Sequence, residues 1–432
     1  MNPSDEEQQG LSRRCFLSRG LMAAATAGLT ARGARAGLEP AAKAEEPAMG
    51  NAAEPFWGRH QGGIVTPLQR NTCFAAFDLI TTERDDIIKM LQAWTAAASR
   101  MAGGQTLEPL GQDASVPAPD SGEALGLSPA RLTVTFGFGA GLFIKDAQDR
   151  YGLAAHRPAA LVDMPRFTGD QLVDARTGGD LSVQACADDP QVAFHAIRQL
   201  SRLAYNVAQI RWVQTGFTAS FNAGETPRNL MGFKDGTNNP SVNDSPTMDK
   251  LIWVGGEGPD WMRGGSYLVV RRIRIALEHW DRMNLSFQEQ TIGRHKYSGA
   301  PLGGANEFDK PDYDATDKDG NSIIPENAHG RLAAAVNNDG AQILRRPYSY
   351  NDGANFTAER WPPWRQEMEY DAGLFFVCYQ GDPRTGFIKL FDRMSKFDMM
   401  NQFVTHTGGG LFACPGGVKE GGFIGQPLFE KA

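Results

Sequence analysis

Apolar positions along the first half of the chain alternate with two periods, one typical of strands and one of helices. Strands are predicted at 71–79, 131–138, 181–187 and 210–218, and helices at 82–102 and 190–204. Residues 103–130 are rich in Gly, Pro, Asp and Ser and predict a loop. The order is therefore strand, helix, strand, strand, helix, strand.

The second half of the chain repeats this order. Its strands are predicted at 266–275, 341–348, 373–380 and 410–414, its helices at 276–293 and 383–403, and a long loop at 294–340. Each half is thus predicted to be a ferredoxin-like unit, the first spanning 57–228 and the second 229–432. Two such units predict an α+β fold of the duplicated, dimeric α+β barrel type, with antiparallel sheets, peripheral helices and a cleft between the halves.

The N-terminus has the order of residues that is typical of an export signal. Adjacent arginines, Arg13 and Arg14, precede a weakly apolar stretch at 20–31, and a small-x-small cleavage site follows at 34–36. This order resembles a twin-arginine signal, which implies export of an already folded protein, often with its cofactor, to the periplasm. A disordered basic tail is the alternative. We predict a signal peptide over 1–36 and an Ala/Glu/Pro-rich linker over 37–56.

Composition excludes several classes of protein. The formal net charge of −7 argues against a nucleic-acid partner, which would favour a basic face. No apolar run reaches the ~20 residues of a membrane-spanning helix. Five cysteines are too few for a disulfide scaffold. Cys378 and Cys414 lie in apolar runs and are predicted to be small buried apolar residues. A disulfide is the alternative for the four cysteines beyond the signal: Cys73, Cys186, Cys378 and Cys414.

Four segments carry the candidate chemistry. The first, 229–240, contains Gly-Phe-Lys-Asp-Gly, in which two glycines flank Asp235; alone it would be an ordinary turn. The others are 325–331, which contains His329; 342–350, where two arginines end an apolar strand; and 397–415, which is rich in Gly and Thr. The remaining six histidines show no metal-ligand spacing.

Together these segments resemble the dye-decolourising (DyP-type) haem peroxidases. The resemblance covers about 57–432 and includes the G-x-x-D-G motif at Gly232–Gly236, the Ala-His-Gly-Arg run that ends at Arg331 and the Arg345-Arg346 pair. The twin-arginine signal places the chain nearest the exported deferrochelatase/peroxidase branch of ferrous-iron uptake systems. The resemblance implies a haem b cofactor and the duplicated ferredoxin-like fold.

The resemblance also implies a role for each site residue. His329 is expected to be the axial ligand of the haem iron, with Asp398 as the carboxylate behind it. Asp235 is expected to be the distal acid and base, and Arg345 to stabilise developing charge, with Arg346 as the alternate. The remaining cofactor contacts are expected from a propionate-binding arginine and from residues at the porphyrin edge: Arg331, Gly236, Thr237 and Asn238.

The expected activity is reduction of hydrogen peroxide with oxidation of dyes, phenols, porphyrinogens or ferrous iron. Because a carboxylate remains a base at lower pH than an imidazole, an acidic optimum is expected. The alternative is a deferrochelatase that releases iron from haem, with iron-uptake partners in the periplasm. A chlorite-dismutase-like enzyme is disfavoured because that group lacks the distal Asp. A homodimer is a further expectation.

Three other patterns have simpler interpretations. Residues 137–141 resemble a dinucleotide-binding turn, but the third glycine is misplaced. Residues 315–326 overlay a calcium loop except at the first ligand position, and a solvated acidic loop is favoured. The aromatic residues of the second half are predicted to be core, with electron relay as the alternative: Trp253, Trp261, Trp280, Trp361, Trp364, Tyr348 and Tyr350.

Overall fold

The computed structural model describes residues 52–111, 113–219, 225–358 and 366–430. These belong to the second of two units into which the chain divides, Pro47–Ala432. The predicted signal peptide, most of the linker, Trp361 and Trp364 lie outside the described residues.

The first half contains the predicted elements with nearly the predicted limits. The strands are β1 (Asn71–Leu79), β2 (Thr133–Gly139), β3 (Leu181–Ala187) and β4 (Ala208–Phe217), and the helices are α1 (Arg84–Ala102), α2 (Ala140–Phe143) and α3 (Pro190–Leu203). Local sequence explains where α3 begins. Asp189 accepts hydrogen bonds from the backbone N–H groups of Gln191 and Val192, and Pro190 occupies the first turn.

The second half has the predicted order of main elements but different limits. Its helices are α4 (Ser245–Leu251), α5 (Leu277–Asp281), α6 (Leu285–Ile292), α7 (His329–Leu332), α8 (Phe387–Phe397) and α9 (Gln426–Glu430). Its strands are β5 (Ser266–Ile275), β6 (Leu344–Arg345), β7 (Tyr348–Ala358), β8 (Gln366–Gln380) and β9 (Val404–Cys414).

Two of these differences are corrections to the predicted elements. The helix predicted at 276–293 is split into α5 and α6 because Asn284 adopts an extended backbone and its side chain accepts a hydrogen bond from Phe287 N–H, which starts a new helix. The long antiparallel pairing of β7 with β8 was not predicted. Only the C-terminal part of β8, at 373–380, shows an apolar strand pattern.

The described strands form one antiparallel sheet in the order β5-β9-β2-β3-β1-β4-β7-β8-β6, and an additional pairing of β5 with β8 closes it into a barrel. Within this sheet, two pairings of named strands join the two halves of the chain. Phe138 of β2 pairs with Ala413 of β9, and Phe217 of β4 pairs with Ser349 of β7. The fold is therefore α+β with a shared barrel, as predicted.

The two faces of the barrel wall contribute to different cores. On the outer face of β1, helices α1 and α3 cover a large apolar cluster, where Trp94 donates to the carbonyl of Leu200 at 2.8 Å. The other face of β1 carries Phe74 into a second cluster with residues of β4, β5, β8 and β9. A third, smaller cluster around Trp280 and Phe403 supports the region of α5 and α6.

The four described cysteines are buried free thiols, which confirms the prediction made for Cys378 and Cys414. Burial raises the pKa of Cys73 to about 12, which keeps that thiol protonated at neutral pH. Among the described residues, no helix is both long and apolar enough to cross a membrane.

Candidate functional site

The second half of the chain encloses a largely apolar cavity, here called the central cavity. It lies among strands β5, β8 and β9 and helices α6, α7 and α8. His329, Asp235 and Arg345 also line it, so that titratable groups converge on an apolar space. The apolar lining includes Ile273, Ile275, Ile292, Leu374, Phe376, Phe387, Leu390, Phe391 and Met394.

His329 opens the short helix α7 and is held by a carboxylate at the end of α8. Its Nδ1 lies 2.6 Å from Oδ2 of Asp398, which leaves Nε2 as the ring nitrogen available to a ligand. The other carboxylate oxygen of Asp398 accepts a hydrogen bond from the backbone N–H of Met400 at 2.8 Å. Both oxygens are therefore engaged, and the orientation of the imidazole is fixed.

The electrostatics of His329 reflect several neighbours. Burial alone lowers the pKa of its imidazole, but the Asp398 carboxylate raises it, and the net effect is a raised pKa. Arg345 lowers and Asp235 raises the same pKa, because both charges lie close to the ring. The structure thus brings together His329, Asp398, Asp235 and Arg345.

Asp235 and Arg345 form an ion pair in the wall of the central cavity. Nη1 of Arg345 donates to Oδ1 of Asp235 at 2.8 Å, and both side chains are mostly buried, with 25 % and 14 % of their surfaces exposed. Nδ2 of Asn229 lies 3.5 Å from Oδ2 of Asp235. The pair offers a proton acceptor next to a fixed positive charge.

A second cavity lies on the other side of this ion pair, and we call it the outer cavity. Its volume is about 350 Å³, and its lining includes Thr66, Pro67 and Pro227. Asp235 and Arg345 line both cavities. A small molecule in the outer cavity therefore reaches the ion pair without crossing the apolar part of the central cavity.

Two side chains that sequence reasoning missed hold the Asp235 segment in place. Asn239 donates through Nδ2 to the carbonyl of Arg345 at 2.7 Å and accepts through Oδ1 from the backbone N–H of Arg345 at 3.2 Å. These are the two hydrogen bonds that the backbone of a paired strand would make. Glu307 pairs with Lys234 and accepts a hydrogen bond from Thr237 at 2.9 Å. Asn239 lies in the 229–240 segment but was assigned no role, and no pattern in the sequence marked Glu307.

The predicted porphyrin-edge residues line the central cavity: Gly236, Thr237 and Asn238. Gly236 has a φ of +133°, a conformation that side-chain-bearing residues rarely adopt. The first glycine of the motif, Gly232, also has a positive φ, of +86°. The glycines are thus required by the backbone path that brings Asp235 to the cavity.

Two predicted cofactor residues, Arg346 and Arg331, do not line the central cavity, and their contacts with the cofactor stay predictions. Arg346 donates to the carbonyl of Thr66 and to Gln69, because successive residues of a strand point to opposite faces and Arg345 takes the cavity side. Arg331 donates to the carbonyl of Ile324 at 2.7 Å, and its guanidinium lies 5.7 Å from the centre of the Tyr313 ring.

Two further polar side chains line the central cavity without having been predicted. Arg294 donates to the carbonyls of Gly299 and Glu307 at 2.7 and 2.9 Å, and burial lowers its pKa. His406 lies in the Gly- and Thr-rich segment that the sequence analysis singled out, but no spacing indicated a role.

The simpler interpretations agree with the geometry. Asp317 accepts hydrogen bonds from the backbone of its own loop, at Asp319 and Asn321, and the described residues contain no cluster of three His, Cys, Asp or Glu that could hold a metal ion. The described Trp residues of the second half are buried in separate cores: Trp253, Trp261 and Trp280.

The residues of the central cavity fit a haem. The apolar lining suits a flat macrocycle, one imidazole nitrogen is free to bind iron, and a carboxylate fixes the other nitrogen. The Asp–Arg pair supplies acid–base and charge-stabilising groups in the same space. Fold and site together define the class of haem-binding oxidoreductases.

Comparison with known proteins narrows this class. The family models for the N-terminal and C-terminal regions of Dyp-type peroxidases match residues 61–218 and 226–419. The chain is 38 % identical to the dye-decolorizing peroxidase of Thermobifida fusca over 100 % of both chains. It is 34 % identical to the deferrochelatase of Yersinia pseudotuberculosis, over 99 % of this chain and 97 % of that one.

A solved structure gives the same result. The DyP-type peroxidase of Streptomyces coelicolor superposes with a TM-score of 0.79 at 41 % identity, covering 88 % of this chain and 98 % of that one. The chain belongs to the Dyp-type peroxidase family. It is a haem peroxidase, as the sequence resemblance implied.

Proposed function

We propose that the chain reduces hydrogen peroxide with Asp235 and Arg345 as its catalytic residues and His329 as the axial ligand of haem iron. The observation that carries this proposal is the Asp235–Arg345 ion pair, at 2.8 Å, in the cavity that His329 also lines. When bound, haem supplies the redox chemistry that takes oxidising equivalents from peroxide and passes them to a reducing substrate.

The protein residues manage the protons and the charge. Asp235 accepts a proton from one oxygen of the peroxide and returns it to the other, so that water can leave. Arg345 donates to the oxygen on which negative charge develops as the O–O bond breaks. Peroxide reaches the pair through the outer cavity, while Asp398 holds His329 in a single orientation.

Substitution of the catalytic pair tests this assignment. Asp235→Asn and Arg345→Leu should each lower peroxide-dependent turnover by about a hundredfold or more, with haem still bound as seen by absorption. Asp339→Asn, at an exposed ion pair with Lys389, is the matched control and should retain activity. Full turnover by Asp235→Asn would exclude Asp235 as the base. His329→Ala should lose the spectrum of histidine-ligated haem.

A second candidate function is release of iron from haem, which the relatives named deferrochelatase favour. In that case the chain acts in iron acquisition with partners of the periplasm, and the paired Arg13 and Arg14 support export there in the folded state. The haem-loaded protein should then yield fluorescent, iron-free protoporphyrin. Peroxide turnover without any such product would leave the peroxidase as the function.

A further inference from the structure

Strand β9 forms one wall of the central cavity. Behind its residue His406 lies a buried chain of polar side chains that the proposed mechanism does not use. Asp170 forms an ion pair with Arg271, and Nε of Arg271 donates to Nδ1 of His406 at 3.0 Å. Arg271 and His406 are 1 % and 8 % exposed. Burial of charged and polar side chains costs free energy of folding, so we expect these residues to have a role beyond packing.

The contact with Arg271 fixes the tautomer of His406. A guanidinium has only donors, so Nδ1 of His406 must be the unprotonated, accepting nitrogen. Burial and the positive charge of Arg271 hold the pKa of His406 well below its usual value, so the ring is neutral. Its single proton therefore lies on Nε2.

The Nε2 edge of His406 is the edge left to face the cavity. The Nδ1 edge is turned towards Arg271, and within the described part of the chain no hydrogen bond joins Nε2 to another residue. The neighbouring surface is apolar: the Phe391 ring lies 4.5 Å from the imidazole, and Val404 and Ile273 line the same space. An N–H donor in such a wall is available to an acceptor on a ligand that fills the cavity.

We propose that His406 is a haem-contacting residue whose Nε2–H donates to a carboxylate of the haem, and that Asp170 and Arg271 position it for this contact. The macrocycle of haem b is apolar, and its two propionates are the acceptors at its edge. The inference rests on haem occupying the central cavity, as in the proposed function. Arg331, the predicted partner of a propionate, does not line the central cavity, so His406 would add a carboxylate contact inside it.

The test compares haem with its dimethyl ester, in which both carboxylates are blocked. The full-length chain, prepared without haem, is titrated with each compound, and the ratio of the two dissociation constants is measured for the wild type and for His406→Phe. His406→Phe should weaken binding of haem by about tenfold or more and leave binding of the ester nearly unchanged. His406→Gln, whose amide can both accept from Arg271 and donate, should restore most of the affinity for haem.

Two controls separate this contact from a structural role. His279→Phe, on α5, changes a histidine that packs on Phe403 and does not line the cavity, and it should leave the ratio unchanged. In haem-loaded protein, the propionate bending bands of the Raman spectrum should shift in His406→Phe and return in His406→Gln.

The outcomes distinguish this inference from the proposed function. Equal weakening of haem and ester by His406→Phe, or no weakening of either, overturns the contact with the carboxylate while haem binding itself stands. Failure of the wild type to bind haem at all overturns both.

Discussion

At the scale of single residues, Asp398 shows how one carboxylate can serve two donors. One oxygen lies 2.6 Å from Nδ1 of His329, and the other accepts from Met400 N–H at 2.8 Å. An asparagine in its place could accept only one of these bonds, since its amide nitrogen would face the second donor. The charge that raises the pKa of His329 would also be lost.

We therefore expect Asp398→Asn to raise the reduction potential of the bound haem by roughly 60 mV, a tenfold factor for a one-electron couple. A neutral partner makes the imidazole a weaker electron donor to ferric iron. Asp392→Asn, at an exposed residue paired with Lys396 on α8, is the control. Redox titration would contradict the role of Asp398 if both variants kept the wild-type potential.

A second carboxylate, Glu123, gives a prediction about pH. Burial acts to raise its pKa, but hydrogen bonds from Ser121 and His195 outweigh this and lower the pKa to about 2. Because the folded pKa lies below the ordinary value of 4.5, the stabilising effect is complete above that pH and is lost as the pH falls towards 2.

Glu123→Gln should thus lower the free energy of unfolding at pH 7 by about 1 kcal/mol, after allowance for solvent screening. The difference from wild type should shrink as the pH is lowered from 5 to 3. Urea unfolding at several pH values measures it, with Glu420→Gln at an exposed position as control. A difference that stays constant with pH would mean that the charge of Glu123 has no part in it.

At the scale of elements, Asn239 connects the Asp235 segment to β6. Its amide makes two hydrogen bonds with the backbone of Arg345. One side chain of the Asp235 segment therefore holds that segment against the strand that carries Arg345. Asn239→Ala should lower turnover about tenfold with haem still bound, because a small misplacement of Arg345 is costly. The pH profile should keep its shape, since the proposed base, Asp235, is unchanged.

Asn239→Asp provides an intermediate case. It keeps the acceptor for Arg345 N–H but places a carboxylate against the Arg345 carbonyl, so its turnover should also fall. Asn243→Ala, at an exposed residue just beyond this segment, is the matched control. Wild-type turnover in both Asn239 variants would show that the two hydrogen bonds to the Arg345 backbone are not needed for catalysis.

The elements also show what sequence periodicity can and cannot predict. Strands of the first half were predicted closely because both their ends and their apolar alternation are local. The outer part of β7 was missed because Asn351, Asp352 and Gly353 are typical of turns. The register shifts at Asp352 and Gly353, and pairing with β8 resumes at Ala354. Which of Arg345 and Arg346 faces the cavity depends on the pairing of β6 with β8, and no local pattern decides it.

At the scale of the whole molecule, the sequence could predict two similar halves and a barrel, but not which strands join the halves. The site residues followed from resemblance to a family, and the structure brings His329 and Asp398 together across 69 positions of the chain. Asn239 and His406 were missed because their hydrogen-bond partners, Arg345 and Arg271, are 106 and 135 positions away in the chain. The first half contributes Asp170, which pairs with Arg271 behind His406.

Phe74 provides a test of this shared barrel. Its ring, from the first half, lies 5.4 Å from that of Phe375 and 6.0 Å from that of Phe412, both from the second half. Phe74→Ala should lower the free energy of unfolding by about 3–5 kcal/mol, because Phe74 is fully buried and its loss leaves an enclosed space in the core. Phe397→Ala, at a residue that is 61 % exposed, should cost much less.

The shared core also predicts how the molecule unfolds. Urea unfolding of the wild type, followed by circular dichroism and by haem absorbance, should show a single transition with one midpoint, because neither half keeps a closed barrel without the other. Phe74→Ala should move both signals together to lower urea. Two separate midpoints, with only one of them moved by Phe74→Ala, would mean that the halves fold independently and that β2–β9 and β4–β7 pairing adds little.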